Sequence, residues 1–179
     1  TLTTEGAREF TAQLRFSRYR SSVYIENVRL PTLARFDYDP STGMLAEGPP
    51  AISFMPRGLS SVRTIFLSPD KAYALDGSAT TIAIFDPTAL ELRPGTIDIS
   101  SARPRGLDLD LVQTVTRGNR TFMTLAFADL SNPANPRIEP AIIVAVIDNE
   151  NDRLLNILRD ERCGHASGIV LAETGDIYV

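Results

Sequence analysis

Apolar and polar positions along this chain form short strand-like runs that are separated by turn residues. One template occurs three times: two β-rich segments lead to an aromatic or aliphatic residue, then to Asp, and then to a turn. Its second occurrence joins Ala72-Tyr73-Ala74 to the segment Ile82–Pro87. Short runs of β-branched and aromatic residues bounded by turn residues are typical of strands. No long stretch has the 3.6-residue period of an amphipathic helix, so the pattern predicts an all-β protein.

The template recurs at a fixed spacing. Tyr24 and Tyr73 are 49 residues apart, as are Tyr73 and Phe122, and the same spacing separates Phe36 from Phe85. Four short strands in each repeat of about fifty residues is the pattern of a β-propeller blade. We therefore predict a β-propeller in which this chain supplies about 3.5 four-stranded blades of a ring of roughly seven or eight. The predicted units lie near residues 11–58, 59–106 and 107–164, with the start of the next blade at 165–179.

An insertion interrupts the period in the third unit. Phe85 and Ile147 are 62 residues apart, which is thirteen more than the period. The excess falls in 129–140, where Asn-Pro pairs favour a loop. The sequence therefore predicts a loop inserted between two neighbouring strands of the third blade, and a long loop of this kind is one candidate contact for a protein partner.

Aspartate residues follow the apolar strands at the same repeat position, as Asp37, Asp86 and Asp148. We expect each to accept backbone hydrogen bonds in the turn that follows it. Their recurrence favours a structural role, because a catalytic residue is normally unique. Hairpin turns are predicted between third and fourth strands at 39–43 and 148–152, and between first and second strands at 68–71 and 173–176.

Several segments resemble the YVTN-type propeller repeat. The strand Ile143–Asp148, the glycine Gly164 and the segment Glu173–Val179 are similar to that family's V-x-V-I-D strand, crossing-loop glycine and D-G-x-x-Y-V strand pair. Leu67–Tyr73 is similar to its S-P-D-G-x-x-Y element, with Lys71 in place of the turn glycine. The resemblance covers most of the chain and implies the fold, but it implies no activity.

Two further segments, Asp39–Gly43 and Asp160–Gly164, resemble uncharacterised secreted propeller lipoproteins of bacteria. This second resemblance implies an exported protein in the periplasm or at the cell surface, with a lipid anchor.

The loops that lead from the last strand of one blade to the first strand of the next are the predicted binding surface. In a propeller these loops converge on the channel mouth, where ligands commonly bind. Arg57, Arg105 and Arg162 lie in them, and we expect a cationic ring that binds an anionic ligand through bidentate contacts. The alternative is that each arginine pairs with a loop carboxylate, or points to water. The carboxylates considered are Asp108, Asp110 and Asp160.

Glycines recur in the same loops, and Gly58 and Gly106 are 48 residues apart. Each is expected to permit a tight turn. The third loop contains Cys163 and His165, the only cysteine and the only histidine of the chain. His165 is a candidate ligand-binding residue. A zinc site generally needs four protein ligands, and a thiol–imidazole nucleophile needs a third, orienting group. We therefore predict no catalytic residue, and Cys163 with His165 is only an incomplete metal-site candidate.

Composition limits the classes of partner that the chain is expected to bind. The 179 residues include 18 Lys and Arg and 22 Asp and Glu, a net charge of −4, which argues against a nucleic-acid partner. No apolar run approaches the roughly twenty residues that span a bilayer, so no transmembrane segment is predicted. The predicted function is a non-enzymatic binding or scaffold domain, without a cofactor, for a small anionic ligand or a protein. The alternative is a lactonase-like propeller hydrolase or an oxidoreductase whose site is completed by blades outside this segment.

Overall fold

Strands dominate the computed structural model of this chain. The structure describes residues 14–27, 30–59, 62–76, 80–129, 137–138, 141–162, 169–172, 174 and 176–179. Helical structure in these ranges is limited to two 3₁₀ turns, Met55–Arg57 and Ser100–Ala102. A helix long and apolar enough to cross a membrane is therefore absent from the described ranges. The all-β prediction is confirmed, and so is its arrangement into antiparallel sheets with four strands in line.

Sheet 1 contains four strands in chain order, with a fifth short strand at one end. They are β1 (Leu14–Tyr19), β2 (Ser22–Asn27), β3 (Thr32–Asp39) and β4 (Met44–Glu47), with β5 (Ile52–Ser53) on β3. Buried and half-buried residues alternate along β2, because successive side chains of a strand point to opposite faces. Sheet 1 therefore has one buried face and one that is partly open.

Sheet 2 is buried on both faces at its centre. Its strands are β6 (Arg63–Ser68), β7 (Lys71–Leu75), β8 (Thr81–Asp86) and β9 (Glu91–Asp98) in that order. Ala72 to Leu75 and Ile82 to Phe85 are buried without interruption. Continuous apolar runs of this kind are expected of strands that are covered on both sides.

Sheet 3 has the longest strands. It contains β10 (Asp108–Arg117), β11 (Arg120–Asp129), β13 (Ile142–Asp148) and β14 (Arg153–Asp160), and β12 (Arg137–Ile138) pairs with the end of β11. The predicted insertion, 129–140, falls between β11 and β13, which pair directly with each other. Apart from its first residue and β12, the insertion lies outside the described residues. A final pair, β15 (Val170–Leu171) and β16 (Ile177–Tyr178), forms a two-stranded sheet.

The predicted hairpin turns are confirmed at three positions, between β3 and β4, β6 and β7, and β13 and β14. The fourth, at 173–176, lies between the paired strands β15 and β16, and two of its residues, Glu173 and Gly175, lie outside the described residues.

The aspartate prediction is confirmed for two of its three residues. Asp86 accepts hydrogen bonds from the backbone N–H groups of Thr88 and Ala89 at 2.8 and 2.9 Å. Asp148 accepts one from the backbone N–H of Glu150 at 3.0 Å.

For Asp37 the prediction is wrong. The turn carboxylate of sheet 1 is Asp39, which accepts the backbone N–H of Ser41 at 2.8 Å. The reason is that β3 stays paired with β4 as far as Asp39, so the turn starts two residues after the repeat position. Asp37 instead lies inside the sheet and accepts a hydrogen bond from the Ser22 hydroxyl at 2.8 Å.

The chain divides into two compact units, Thr1–Asp76 with Ala83–Gly95, and Gly77–Ile82 with Thr96–Val179. The core of the first unit joins residues of sheets 1 and 2 in one buried cluster. Within it the Phe54 and Phe85 rings meet edge to face, with 5.2 Å between their centroids. The cluster comprises Tyr24, Leu33, Ile52, Phe54, Leu59, Val62, Ala72, Ala74, Ala83, Phe85 and Leu90. In the second unit the fully buried residues include Met123 and Leu125 on β11 and Ile143 and Ile147 on β13.

Candidate functional site

Two of the predicted binding loops share a left-handed glycine between an arginine and a buried leucine, although only Arg57 lies in a 3₁₀ turn. In each, Pro-Arg precedes a glycine with positive φ, which is +76° at Gly58 and +73° at Gly106. A buried leucine follows each glycine, 3% exposed at Leu59 and 5% at Leu107. Glycine adopts this left-handed conformation without steric cost, and the leucine anchors the end of the loop in the core. The arginine of each loop is therefore the last residue before the chain turns back inward.

Arg57 is held against sheet 2 within the first unit. Its Nη2 donates a hydrogen bond of 2.7 Å to the carbonyl oxygen of Arg93 on β9. Its Nε is buried and has no hydrogen-bond partner among the described residues, and the side chain as a whole is half-buried. Arg57 therefore has one structural bond and still carries donors that no described residue engages.

Arg105 lies in the second unit and is exposed. It makes no hydrogen bond or ion pair within the described part of the chain. Its neighbour Arg103 has a structural role, because Nε of Arg103 donates to the carbonyl oxygen of Leu107 at 2.7 Å and so closes the loop. The loop thus fixes the backbone on both sides of Arg105 and leaves its guanidinium group accessible.

Arg162 pairs with the loop carboxylate of Asp160, which is the alternative that the sequence offered to a ligand contact. Its Nε and Nη2 donate to the two carboxylate oxygens of Asp160 at 3.0 and 2.7 Å. The side-chain and backbone hydrogen bonds from Arg162 lower the pKa of Asp160 to about 2. Bidentate pairing of this kind occupies one edge of the guanidinium group. Arg162 is 87% exposed, so the pair stands at the surface.

Two other predicted site residues, Cys163 and His165, lie outside the described residues, so their roles stay predictions. Within the described ranges, no three His, Cys, Asp or Glu side chains are placed to hold a metal ion together. The cationic ring predicted from the three arginines also stays a prediction.

A surface cavity of about 310 Å³ in sheet 1 was not predicted from the sequence. It opens where the chain leaves β4 and joins β5, along the segment Gly48-Pro49-Pro50. Proline lacks the N–H that pairing with β3 requires, so the edge of the sheet is interrupted here. The N–H of Gly48 donates to the carbonyl oxygen of Arg35 at 3.0 Å, and a Cβ at Gly48 would lie 2.7 Å from that oxygen. The proline pair was the available sequence signal for this cavity.

Arg35 lines this cavity. Its guanidinium group is bonded to other groups of the protein. It donates to Asp37 Oδ1 from Nε at 3.0 Å and from Nη2 at 2.6 Å, and its Nη1 donates to the carbonyl oxygen of Thr88. The Ser22 hydroxyl and then Arg35 lower the pKa of Asp37. Arg35 therefore ties sheet 1 to the turn after β8, and it is not a candidate ligand-binding cation.

Tyr24, like Arg35, connects sheet 1 to the turn after β8. Its hydroxyl donates to the carbonyl oxygen of Pro87 at 3.0 Å, and burial raises the pKa of Tyr24. The hydrogen bond satisfies the hydroxyl in an otherwise apolar cluster. Of Arg57, Arg105 and Arg162, only Arg105 is exposed and makes no hydrogen bond or ion pair among the described residues.

No protein-family model matches this chain, and no curated protein matches it either. What is established about the chain is its fold, an all-β protein of successive four-stranded antiparallel sheets.

Proposed function

We propose that this chain belongs to a β-propeller of seven or eight blades and acts as a non-enzymatic binding or scaffold domain. Three successive four-stranded antiparallel sheets support the fold. The 49-residue spacing supports it independently, because Tyr24 and Tyr73 occupy the same position on the second strands of sheets 1 and 2. In this proposal the ligand or partner binds at the loops that connect one sheet to the next.

The accessible guanidinium group of Arg105 carries the ligand proposal. Its loop is held by the buried Leu107, by the left-handed Gly106 and by the hydrogen bond from Arg103. A preordered loop loses little conformational entropy when it binds. A guanidinium group recognises carboxylate or phosphate through paired N–H donors, so the proposed ligand is a small anion or an acidic segment of a protein.

Isothermal titration calorimetry tests this proposal with citrate and pyrophosphate as probes. Arg105→Ala should weaken binding of the better probe at least about tenfold, because a charge-assisted bond is lost. Arg57→Ala should weaken binding by less, since the Arg57 side chain is already bonded to the backbone of β9. Arg153→Ala is the control, as it removes an exposed arginine from the first position of β14, where it pairs with Asp148 at 3.3 Å and lies outside the loops between sheets.

Two results would contradict the ligand proposal. One is an unchanged affinity in both loop variants, and the other is an equal loss in the Arg153→Ala control. The second result would show a general charge effect that does not depend on the loop.

The proposed location is the periplasm or cell surface of a bacterium, which the resemblance to secreted propeller lipoproteins supports. Fractionation of the native bacterium with an antibody to this chain tests it. We expect the protein in the periplasmic or envelope fraction. Its recovery in the cytoplasm would overturn the proposed location and would leave the binding proposal unchanged.

A further inference from the structure

Arg57 differs in its partners from two other half-buried arginines of the first unit. Arg35 bonds to the carboxylate of Asp37 at 2.6 Å, and Arg93 lies 3.5 Å from that of Asp70. The one hydrogen bond that Arg57 makes with the described residues goes to a neutral group, the carbonyl oxygen of Arg93. A charge that leaves water is costly unless an opposite charge accompanies it. Within the described part of the chain, the positive charge of Arg57 therefore has no carboxylate to neutralise it.

The guanidinium group of Arg57 is held so that part of it stays accessible. Nη2 bonds to β9, and Nε is buried without a partner among the described residues. Nη1 also lacks a described partner, but it is not buried. A buried donor without a partner costs free energy, and proteins retain such costs chiefly at functional sites. This conformation gives up Nε and presents Nη1, beside the second N–H of Nη2.

The backbone around Arg57 is fixed by hydrogen bonds and by burial. The N–H of Arg57 donates to the carbonyl oxygen of Phe54 at 2.9 Å, and the N–H of Phe54 donates to that of Pro31 at 2.7 Å. Phe54 is fully buried, and the left-handed Gly58 and the buried Leu59 follow the turn. An ordered group loses little conformational entropy on binding, so the accessible donors of Arg57 are preorganised.

Arg57 connects two sheets that the structure describes. It follows β5 of sheet 1, and its Nη2 bond reaches β9 of sheet 2 within the first unit. The surroundings of its guanidinium group therefore belong to the contact between these two sheets.

We propose that Arg57 binds a small monovalent carboxylate through Nη1 and Nη2. The two oxygens of a carboxylate match paired guanidinium donors, and one negative charge neutralises one positive charge. A phosphate dianion would need a second cation. The guanidinium group of Arg93 does not supply it, because it lies 3.5 and 3.8 Å from the carboxylates of Asp70 and Asp86. This inference rests on the proposed binding role of the loops between sheets, and it gives the Arg57 loop a ligand class of its own.

Heteronuclear NMR of the arginine side chains tests the site directly. The Nε–H signal of Arg57 is identified by its loss in Arg57→Lys. Sodium acetate at constant ionic strength should shift this signal with a dissociation constant on the order of 10 mM. Acetamide has the same shape without the charge and should leave the signal in place. The Nε–H of Arg35 is the matched control, because Asp37 already supplies its carboxylate, and its signal should not move.

Urea unfolding provides a second measurement. With a dissociation constant of about 10 mM, about 100 mM acetate should lower the unfolding equilibrium constant about tenfold relative to acetamide. Arg57→Met should lose this effect of acetate, because it removes the charge and the donors. Arg105→Met should retain it, since Arg105 belongs to the other loop.

The outcomes separate this site from the proposed ligand site at Arg105. An Arg57 signal that acetate does not move would overturn the carboxylate site and would leave the Arg105 proposal standing. An equal shift with chloride or phosphate at the same ionic strength would overturn the ligand class. Loss of the acetate response in Arg105→Met would show that the two loops form one site, and would overturn the assignment to Arg57.

Discussion

The backbone N–H of Thr64 donates a hydrogen bond of 2.9 Å to Oε1 of Glu26, and the Thr64 hydroxyl donates to the same oxygen. Glu26 is on β2 and only 5% exposed, and Thr64 is on β6 of the neighbouring sheet. A buried carboxylate is expensive unless hydrogen bonds compensate for its lost hydration. This contact therefore specifies how sheets 1 and 2 pack within the first unit.

Replacing Glu26 should destabilise the first unit. Glu26→Ala removes the acceptor of the half-buried Thr64 N–H, and hydrogen bonds to charged groups contribute about 1.5–3 kcal/mol. We expect the free energy of unfolding in urea to fall by about 2 kcal/mol. Glu26→Gln keeps an acceptor oxygen and should lose less, whereas Glu91→Ala at an exposed position should change stability by under about 0.5 kcal/mol. Equal losses for Glu26 and Glu91 would contradict this role.

Acid should destabilise the turn between β13 and β14. A hydrogen bond from the Asn151 side chain, with backbone N–H donors, lowers the pKa of Asp148 to about 2. Because the folded pKa is below the unfolded value of about 3.9, this contribution is complete above about pH 4 and is lost as the pH falls towards 2. Unfolding curves of Asp148→Asn should therefore change less between pH 4 and 2 than those of the unsubstituted chain.

The exposed Glu91 provides the control for this pH dependence. Glu91→Gln should reproduce the pH profile of the unsubstituted chain over the same interval. If Asp148→Asn does so as well, the turn hydrogen bonds do not contribute to acid stability.

Substitution of Gly106 should cost stability through the backbone alone. A Cβ at this position meets no atom within 4 Å, but φ is +73°. A left-handed conformation costs a non-glycine residue roughly 1–2 kcal/mol, so Gly106→Ala should lower the unfolding free energy by about that amount. Gly106→Asn should cost less, because Asn tolerates this conformation better than Ala. Identical losses in urea melts of the two variants would rule out backbone strain as the cause.

Phe54 and Phe85 should be energetically coupled. Their edge-to-face contact joins the two sheets of the first unit, and such pairs contribute about 0.5–1.5 kcal/mol beyond apolar burial. A double-mutant cycle with Phe54→Leu and Phe85→Leu, measured by urea unfolding, should give a coupling energy in that range. The cycle of Phe85→Leu with Leu45→Ala, at an exposed position of β4, should be additive within about 0.5 kcal/mol.

Local patterns predicted most of the architecture. The hairpin turns and the carboxylates Asp86 and Asp148 were found from sequence because a turn is determined by residues only a few positions apart. Asp37 was misassigned because the length of β3 depends on its pairing with β4, which no local pattern records. The loop glycines Gly58 and Gly106 were recognisable because the repeat places them in the same register.

The sequence by itself determined the strand pattern, the 49-residue period and the equivalence of the Arg57 and Arg105 loops. Alternation and turn chemistry are properties of neighbouring residues, so they can be seen without a structure. Only the tertiary structure decided that Arg57 bonds to the backbone of β9, that Arg162 pairs with Asp160, and that Arg105 makes neither kind of contact. It also decided which face of sheet 1 is covered. Hydrogen bonds and burial depend on groups that folding brings together, and the sequence does not reveal which partner each side chain meets.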